Sequence, residues 1–518
     1  MPTNQRFLAA AAAACPALDR TIRLPVHEVA LERDPSAFQG WSATPVGPAD
    51  ALARRPLAGG HVIVLDFGEH LVGRVSLDLA VISGVHDAPV RLRLIFAELP
   101  AEAAEPFDPL TAKPGWLSTA WQQDEVITCD DLPASFALPR RYAFRYLRIE
   151  VIEPRGAFTI ALAGCRCVQE GVDVADIVTD PTLPGDLAAI DAVARRTLRN
   201  CMHTVFEDGP KRDRRLWIGD LRLQALANAV TFRRFDLVKR SLYLLAAFAR
   251  EDGALSGCCY ERPTPRDGSL WLLDYNLLFV ATLRDYLADS GDTATARDLY
   301  PVARRQVEIG LALLRLDLFL PESGKGWWLF VDWKAGLDHH VAEHGMLVYA
   351  LRQLGELTAA LGDGVAAAND RRTADRLVAA ARAAWFDPAS GLLRTAAGQV
   401  SYANQAWAVL SGIVDADEGA RGLRTVALHP DAVRPAGPYL WHHVVHAQLL
   451  CGMDREALAL LRGYWGGMVR AGATTFLEVY DPADQRLTPY GFVHANSACH
   501  AWSCTPAWFL RRWRARLL

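Results

Sequence analysis

The chain has 518 residues, of which 51% are apolar, and a formal net charge of -4. This length exceeds what one compact core usually holds, so we expect two domains. The composition gives no sign of a basic face that would bind nucleic acid, and no run of 18 uncharged apolar residues predicts a membrane span.

The N-terminal segment, residues 1–20, contains an Ala-rich run from Phe7 to Ala14. A secretory signal would have a clearer basic start and a longer Leu-rich run, so we interpret this run as a helix, with an export signal as the alternative. The ten cysteines are scattered and form no CxxC pair, which argues against a zinc site. Buried, reduced thiols in a cytoplasmic protein are the simplest interpretation.

Residues 21–175 show the alternation of apolar and polar residues that is typical of antiparallel strands with one solvated face. The clearest runs are His61–Asp66, Val75–Val81, Val90–Phe96 and Tyr146–Ile152. Gly, Pro and Asp separate them, and the Pro- and Ala-rich segment from Pro100 to Trp116 predicts a long loop. We therefore predict an antiparallel β-sandwich domain over residues 21–175.

From residue 176 to residue 518 the apolar residues recur at i, i+3, i+4 and i+7, which is helical spacing. The clearest stretches are Leu221–Val230, Tyr243–Phe248, Tyr275–Leu287, Pro301–Leu316, Val341–Leu361, Thr373–Trp385, Ala403–Val414 and Trp441–Leu450. About a dozen helices joined by short loops fit a closed ring of helical hairpins. We predict that residues 176–518 form an (α/α)6 toroid.

The segment Glu207–Asp220 is the most informative stretch of the chain. It combines the carboxylates of Asp208, Asp213 and Asp220 with four basic residues, a Gly-Pro turn and Trp217. Carboxylates that bind sugar hydroxyls, held by neighbouring arginines, would explain this composition. The alternative for Asp220 is a helix cap, because it lies directly before an amphipathic helix.

A second acidic segment, Gly472–Asp481, lies far along the chain. Its Glu478 follows an apolar stretch and is flanked by Leu477 and Val479. A carboxylate among apolar neighbours is unfavourable unless it is paired or functional. We therefore expect Glu478 to act in a site, with an ordinary exposed loop residue as the alternative.

Together the two segments resemble the inverting α-L-rhamnosidases of glycoside hydrolase family 78. That family has the pattern Asp-x-Pro-x-Arg-Glu-x-x-x-Trp-x-Gly-Asp, and a later Gly-Ala-Thr-Thr-x-x-Glu supplies its base. Asp208, Arg212, Trp217 and Asp220 match the first pattern, and Glu478 matches the second. The resemblance implies that Asp208 and Asp220 bind rhamnose hydroxyls and that Glu478 activates water.

One position departs from the family pattern, because Asp213 stands where the family has its general-acid Glu. The Asp side chain is one methylene shorter. Its proton would lie about 1 Å or more from the required position, and a misplacement of this size can slow a reaction about 100-fold. Hydrolysis would then need a local backbone shift at Asp213.

Three functions fit these residues. The first is inverting hydrolysis, with Asp213 as the acid and Glu478 as the base. The second is β-elimination that removes rhamnose from O4 of a glucuronate, as in a lyase family with a similar toroid. His70 would then be the base, and Arg141 and Arg145 would hold the uronate, unless these three are ordinary turn and surface residues. The third is a sugar-binding protein without catalysis. All three predict a partner that carries L-rhamnose.

Further candidates for the sugar pocket lie near predicted loop-to-helix junctions. They are Trp271, Asp274, Asp332, Trp333 and His500. Any aromatic residue among them could instead fill a core. His339, His340, Glu343 and His344 look like a metal cluster, but they lack the Glu that a zinc protease places directly after its first His. We predict no metal and no cofactor.

Overall fold

The computed structural model describes residues 4–107, 117–156, 158–174, 179–395 and 397–518. The chain begins with helix α1 (Gln5–Ala13), where the Asn4 side chain caps the helix by accepting from the Phe7 N–H at 3.1 Å. The Phe7 ring lies 5.6 Å from that of Tyr243, centroid to centroid. The run predicted to be helical is therefore a helix, and it packs on the helical domain.

Nine antiparallel strands follow and form one hydrogen-bonded sheet. They are β1 (Leu18–Arg23), β2 (His27–Arg33), β3 (Trp41–Pro48), β4 (Val62–Gly84), β5 (Val90–Ala97), β6 (Asp124–Cys129), β7 (Ala134–Ala137), β8 (Tyr142–Glu153) and β9 (Phe158–Val172). The main path runs β1-β9-β4-β8-β5-β6, while β2 links β3 to β4, and β7 pairs with β4. The predicted antiparallel β-domain is confirmed.

Strand β4 unites two runs that the sequence pattern separates. It pairs with β8 on both sides of an irregularity between Asp66 and Leu71, and with β9 from Gly73 onward. Gly68 lies in this irregularity with φ of 81°, a conformation that glycine adopts most easily. Leu65 and Leu77, from the two halves of β4, lie in the same hydrophobic core. Both halves of β4 therefore contribute to one core.

The predicted long loop from Pro100 to Trp116 begins instead with a short helix, α2 (Pro100–Ala104). Proline suits the first turn of a helix because its missing N–H has no partner there. Residues 108–116 lie outside the described residues. Beyond them, Thr119–Trp121 forms a 3-10 turn beside the helical domain.

The rest of the chain is mainly helical. The helices are α3 (Gly185–Asn200), α4 (Ile218–Val230), α5 (Phe235–Ala247), α6 (Leu273–Ser290), α7 (Thr293–Ala312), α8 (His340–Ala360), α9 (Gly364–Trp385), α10 (Tyr402–Ser411), α11 (Ala416–Leu428), α12 (Pro438–Leu450), α13 (Asp454–Leu460), α14 (Gly466–Arg470), α15 (Pro506–Arg512) and α16 (Arg514–Leu517). Short strands β10 (Leu216–Trp217), β11 (Cys258–Tyr260) and β12 (Arg266–Asp267) form one small sheet, and β13 (Phe386–Asp387) and β14 (Leu392–Leu393) another. Within the described ranges, no helix is long and apolar enough to cross a membrane.

Burial distinguishes inner helices from outer ones. Every residue of α6 from Leu273 to Leu283 is buried, whereas α9 buries only one residue in each turn. A helix that is apolar on all sides lies inside a fold, and a one-sided helix faces solvent. The inner helices α4, α6, α8, α10 and α12 pack in that order, and residues 501–503 return to α4. This closed ring confirms the predicted helical toroid.

Candidate active site

One cavity of about 300 Å³ lies where segments leading into the inner helices meet the segment between α14 and α15. Eight of the residues that the sequence singled out line it: Asp208, Arg212, Asp213, Trp217, Asp220, Trp333, Glu478 and His500. Arg212 and Glu478 are 266 positions apart in the chain, yet they form an ion pair. The two acidic segments therefore converge on a single hollow.

Direct hydrogen bonds connect the first acidic segment, Glu207–Asp220, to the loop before α15. The Lys211 ammonium donates to the backbone oxygens of Asn496 at 2.6 Å and His494 at 3.2 Å. The Arg212 guanidinium donates to the oxygen of Ala495, and the N–H of Ala501 donates to the oxygen of Asp208 at 2.9 Å. Because these donors are buried, their partners fix the relative position of the two segments.

Glu478 is buried and fully hydrogen-bonded. Its carboxylate accepts from the Arg212 guanidinium, from the Tyr490 hydroxyl and from the Ser497 N–H at 3.0 Å. Burial alone would raise the pKa of Glu478, but Arg212, His500 and the Ser497 N–H together lower it below its ordinary value. Glu478 is therefore ionised at neutral pH, which is the state that a general base requires.

The pKa values of Asp208 and Asp220 are shifted in the opposite direction to that of Glu478. Burial raises the pKa of both aspartates well above the ordinary value. The carboxylates of Asp213 and Asp220 raise the pKa of Asp208 further, and the carboxylate of Glu478 raises that of Asp220. The Tyr275 hydroxyl donates to one oxygen of Asp220 at 3.5 Å. The other oxygen is buried and has no hydrogen-bond partner among the described residues. Asp220 thus keeps one buried oxygen free for a ligand hydroxyl.

His500 lies beside Asp220, with its Nδ1 3.7 Å from a carboxylate oxygen. Burial lowers the pKa of His500 to about 4, so the ring is neutral at pH 7. Its Nδ1 is also buried and lacks a hydrogen-bond partner within the described ranges. A neutral imidazole can donate through one nitrogen and accept through the other, as recognition of sugar hydroxyls requires.

Asp213 reaches the cavity from an unusual backbone conformation. Its φ is 52° and that of Arg214 is 53°, in the left-handed region that Asp tolerates better than most residues. The Asp213 oxygens lie 3.9 Å from the Arg212 guanidinium and 3.8 Å from that of Arg215. The short Asp213 side chain therefore reaches the cavity from a left-handed turn. The sequence motif around Asp213 does not reveal this backbone conformation.

Arg212 lies between the carboxylates of Asp213 and Glu478. One of its terminal nitrogens is 3.9 Å from Asp213, and the other is hydrogen-bonded to Glu478. One cation thus contacts both carboxylates.

Several further residues line the cavity. They are Leu117, Ser118, Trp121, Arg215, Leu270, Leu272, Tyr275, Trp328, Phe330, Tyr490 and Trp502. Tyr275 adjoins the predicted Asp274, and Trp328 belongs to the same Trp-rich segment as Trp333, so local signals existed for these two. Nothing in the pattern around Tyr490 singles it out.

Three predicted pocket residues lie outside the lining and support it from behind. Trp271 stacks against the Arg250 guanidinium, 4.6 Å from the ring centroid. Asp274 accepts from the N–H groups of Phe330 at 3.1 Å and Val331 at 2.8 Å, and Asp332 accepts from the Ala436 N–H at 2.7 Å. Burial raises the pKa of Asp274 to about 6 and that of Asp332 to about 7. Both aspartates hold loops near the cavity, and a role of these three residues in sugar binding stays a prediction.

The residues required by the elimination hypothesis also lie outside the lining. Arg141 pairs with Glu207 at 2.7 Å, and Arg145 pairs with Asp66 at 2.8 Å. His70 is buried, with its Nε2 2.9 Å from Glu98. All three side chains are thus engaged by protein carboxylates, and their reaching a bound uronate stays a prediction.

A buried charge cluster joins the β-domain to the back of the site. It consists of His70, Glu98, Glu102 and Lys211. The Lys211 ammonium lies 2.7 Å from Glu102 and 3.0 Å from Glu98, and Glu98 also accepts from the Ala498 N–H at 2.6 Å. Burial lowers the pKa of His70, but Cys499 and Glu98 raise it to about 10. The β-domain therefore holds the first acidic segment through paired charges and the loop before α15 through a hydrogen bond.

The histidines that looked like a metal cluster have other partners. His340 Nδ1 lies 2.7 Å from Asp338, and His344 Nε2 lies 3.1 Å from the backbone oxygen of Leu377. In the part of the chain that the structure describes, no three His, Cys, Asp or Glu side chains are arranged to hold a metal ion. All ten cysteines are free thiols.

Two family models match the chain. Residues 25–169 match the glycosyl hydrolase family 78 alpha-rhamnosidase N-terminal domain, and residues 184–513 match the bacterial alpha-L-rhamnosidase 6 hairpin glycosidase domain. No curated protein sequence matches the chain significantly. The two matched segments correspond to the β-domain and to the helical toroid.

Solved structures agree with the family models. The chain is similar to a rhamnosidase from Klebsiella oxytoca with rhamnose bound, at 41% identity over 99% of both chains and a TM-score of 0.95. A family 78 rhamnosidase of Bacillus sp. GL1 shares the fold at 23% identity, over 91% of this chain and 49% of that chain, with a TM-score of 0.74. The resemblance drawn from the two motifs is thus confirmed, and the chain belongs to the six-hairpin α-L-rhamnosidases of glycoside hydrolase family 78.

Proposed function

We propose that this chain releases terminal L-rhamnose from α-L-rhamnosides by inverting hydrolysis. The observation that carries the proposal is the convergence of Asp213, Glu478 and the free oxygen of Asp220 on one cavity. The similar rhamnosidase from Klebsiella oxytoca, whose structure has rhamnose bound, supports rhamnose as the sugar. The family membership favours hydrolysis over elimination.

In this mechanism Asp208, Asp220 and His500 hold the rhamnose hydroxyls. Because the pKa of each aspartate is raised, a protonated carboxyl can donate to a hydroxyl as well as accept from one. Arg212 and Tyr490 hold the Glu478 carboxylate on one side of the sugar. Arg215 and Arg212 flank the Asp213 carboxyl.

The reaction is a single displacement. Glu478 removes a proton from a water molecule, and the water oxygen bonds to the anomeric carbon. The bond from that carbon to the glycosidic oxygen breaks, and Asp213 transfers its proton to the leaving oxygen. The anomeric configuration inverts, so the first product is β-L-rhamnose.

Proton NMR of the first turnovers of an aryl α-L-rhamnoside tests the proposal. We expect β-L-rhamnose to appear before mutarotation produces the α form. Glu478→Gln should lower kcat about 100-fold or more for all substrates, because general acid–base groups typically contribute this much. Asp213→Asn should lower kcat strongly for alkyl rhamnosides but little for dinitrophenyl rhamnoside, whose leaving group needs no proton.

The exposed Glu308, which pairs only with Arg305 on the surface, provides a matched control. Glu308→Gln should leave both kcat and the product configuration unchanged. α-L-Rhamnose as the first product would contradict inversion, and an unsaturated uronate product would favour elimination. A rhamnose-dependent rise in Tm without turnover would favour a sugar-binding protein.

We also propose a cytoplasmic location for the protein. Its ten free thiols support this proposal, because thiols persist in reducing compartments. Cell fractionation of the native producer would test it, and recovery of the activity from the culture medium would contradict it.

A further inference from the structure

The proposed acid, Asp213, lies on a short closed loop. The loop is closed at its base by two hydrogen bonds between Asp208 and Arg215. The Asp208 N–H donates to the oxygen of Arg215 at 3.0 Å, and the Arg215 N–H donates to the Asp208 carboxyl at 3.1 Å. Residues 208–215 are here called the acid loop.

Two adjacent residues of the acid loop have a left-handed backbone. The φ angle is 52° at Asp213 and 53° at Arg214. Asp tolerates this region because its short side chain can hydrogen-bond locally, whereas an arginine has no such compensation. Conformations of this kind persist only where their surroundings fix them, and they are concentrated at functional sites. Contacts around Arg214 must therefore hold the turn.

The Arg214 guanidinium provides these contacts by folding back onto the loop. Its Nε donates to the oxygen of Pro210 at 2.8 Å, and its Nη2 donates to the oxygens of Arg141 at 2.7 Å and Lys211 at 3.5 Å. Within the described ranges, every hydrogen bond of this guanidinium goes to a backbone oxygen. Because Arg141 directly precedes strand β8, the same group also ties the acid loop to the β-domain.

The position is unfavourable for a cation. Burial and the neighbouring Arg141 lower the pKa of Arg214 to about 10, and Glu207 offsets these effects only in part. A half-buried cation whose hydrogen bonds go to backbone oxygens gains less than one that is paired with a carboxylate. Stability alone therefore does not account for an arginine at this position.

The Asp213 side chain points away from that clamp and into the cavity. Its Oδ1 is buried and has no hydrogen-bond partner among the described residues. Arg212 and Arg215 lie 3.9 Å and 3.8 Å from the carboxyl, beyond hydrogen-bond distance. The turn therefore leaves one buried oxygen of Asp213 available to a ligand.

We propose that Arg214 is a positioning residue for the acid: its guanidinium holds the left-handed turn, and this turn, rather than the length of the side chain, sets how far Asp213 reaches. The inference rests on the proposed hydrolysis with Asp213 as the acid. In that step the Asp213 O–H bond breaks, the proton bonds to the glycosidic oxygen, and the electron pair of the breaking C–O bond stays on that oxygen. A displaced carboxyl slows this transfer specifically.

Two substrates with different leaving groups isolate the proton transfer. The ratio of kcat for methyl α-L-rhamnoside to kcat for dinitrophenyl α-L-rhamnoside depends on the acid, because dinitrophenolate leaves without a proton. Arg214→Ala removes the guanidinium and disfavours the left-handed φ, so we expect the ratio to fall about 10- to 100-fold. Arg214→Gly also removes the guanidinium but adopts this φ readily, so the ratio should fall less. A merely structural role would lower kcat equally for both substrates.

Asp213→Glu tests the reach of the acid directly. In the turn that Arg214 holds, the added methylene moves the carboxyl by about 1 Å or more, and a displacement of this size can slow a reaction about 100-fold. We therefore expect the kcat ratio to fall, although Glu is the residue of the family pattern. Adding Arg214→Gly frees the turn and should restore part of the ratio, so the two substitutions should not be additive.

Arg233 provides a matched control. It is an exposed arginine with φ of 56°, and it is not among the residues that line the cavity. Its N–H donates to the oxygen of Asn228 at 2.7 Å. Arg233→Ala imposes the same backbone penalty as Arg214→Ala, so it should lower Tm and leave the kcat ratio unchanged.

Two results would overturn the inference and leave the proposed function intact. One is an unchanged kcat ratio in Arg214→Ala, and the other is a ratio in Asp213→Glu that equals or exceeds that of the unaltered chain. Failure of the proposed function itself gives a different result, since Asp213→Asn would then leave the ratio unchanged or no rhamnoside would release rhamnose.

Discussion

Tyr490 is the side chain that links the proposed base most directly to the aromatic lining. Its hydroxyl donates to Glu478, and the Arg212 guanidinium lies 4.1 Å from its ring centroid. The same residue thus holds the carboxylate and its cationic partner, which makes Tyr490 a positioning residue for the base.

Replacing Tyr490 with Phe should change the pH dependence of the reaction. The variant removes a hydrogen bond to the ionised carboxylate, so the pKa of Glu478 should rise from its lowered value. The base then becomes protonated at a higher pH, and the acidic limb of the kcat/KM profile should move upward by about one unit. An unchanged acidic limb would show that Tyr490 has only a packing role.

Local motifs allowed the charged lining to be predicted more fully than the aromatic one, of which Trp217 and Trp333 had been singled out. Asp208, Asp213 and Asp220 lie within one short segment, so a single pattern brings them together. Trp271 and Trp328 both lie in loops, and the sequence pattern does not distinguish their surroundings. Tertiary packing places Trp271 against Arg250 and Trp328 in the cavity. The periodicity of the sequence does not show where either ring packs.

Helix α12 begins beside a buried carboxyl that holds its entry loop. Asp332 accepts from the Ala436 N–H, two residues before the first residue of α12, and burial raises the pKa of Asp332 to about 7. The folded chain therefore holds a proton on Asp332 that the unfolded chain releases near pH 4.

Asp332→Asn should remove part of the pH dependence of stability. A group with a raised folded pKa stabilises the fold fully below its unfolded pKa, and this contribution disappears as the pH rises toward the folded pKa. Relative to the variant, the unaltered chain should lose roughly 1.4 kcal/mol of unfolding free energy per pH unit between about pH 4 and pH 7. Urea unfolding at several pH values measures this difference, and parallel curves would contradict it.

The positions of the strands were predicted better than the bounds of individual strands and helices. The strand runs were visible because one face of each is buried, but the irregularity after Asp66 made β4 look like two strands. Helix α11 was missed although Asp415 and Glu418 form a capping box at its start. Helix α7 begins at Thr293, so it starts before the stretch of helical spacing from Pro301 to Leu316 and contains Pro301 in its interior.

The charge cluster around Lys211 couples the two domains. Lys211 belongs to the first acidic segment, whereas Glu98 and Glu102 come from the β-domain. Its other two acceptors, the oxygens of His494 and Asn496, lie in the loop before α15. One ammonium group thus joins three parts of the chain that meet behind the cavity.

Lys211→Met should weaken both the fold and the reaction. The variant leaves the buried Glu102 without its cation and Glu98 with His70 alone, and breaking a buried ion pair usually costs about 3–5 kcal/mol of unfolding free energy. Urea unfolding gives this cost, and kcat/KM should fall because Arg212 and Glu478 lose their support.

The half-exposed Lys239, which pairs with Asp292, is the matched control, and Lys239→Met should cost less than about 1 kcal/mol. Adding Glu102→Gln to Lys211→Met should restore part of the lost stability, since one unpaired charge is removed. A Lys211→Met chain with unaltered stability and kcat/KM would show that the cluster does not couple the domains.

Strands β1 and β9 are where the chain enters and leaves the β-domain, and they pair along their length from Leu18 with Val172 to Arg23 with Cys167. Helix α1 before them packs on α5, and the Val172 N–H donates to the oxygen of Met202 at 3.0 Å. In topological terms the β-domain is an insertion, anchored to the toroid at both of its ends. A unit held at two adjacent points cannot swing outward on a single flexible tether, so we expect the two domains to stay together while substrate enters and product leaves.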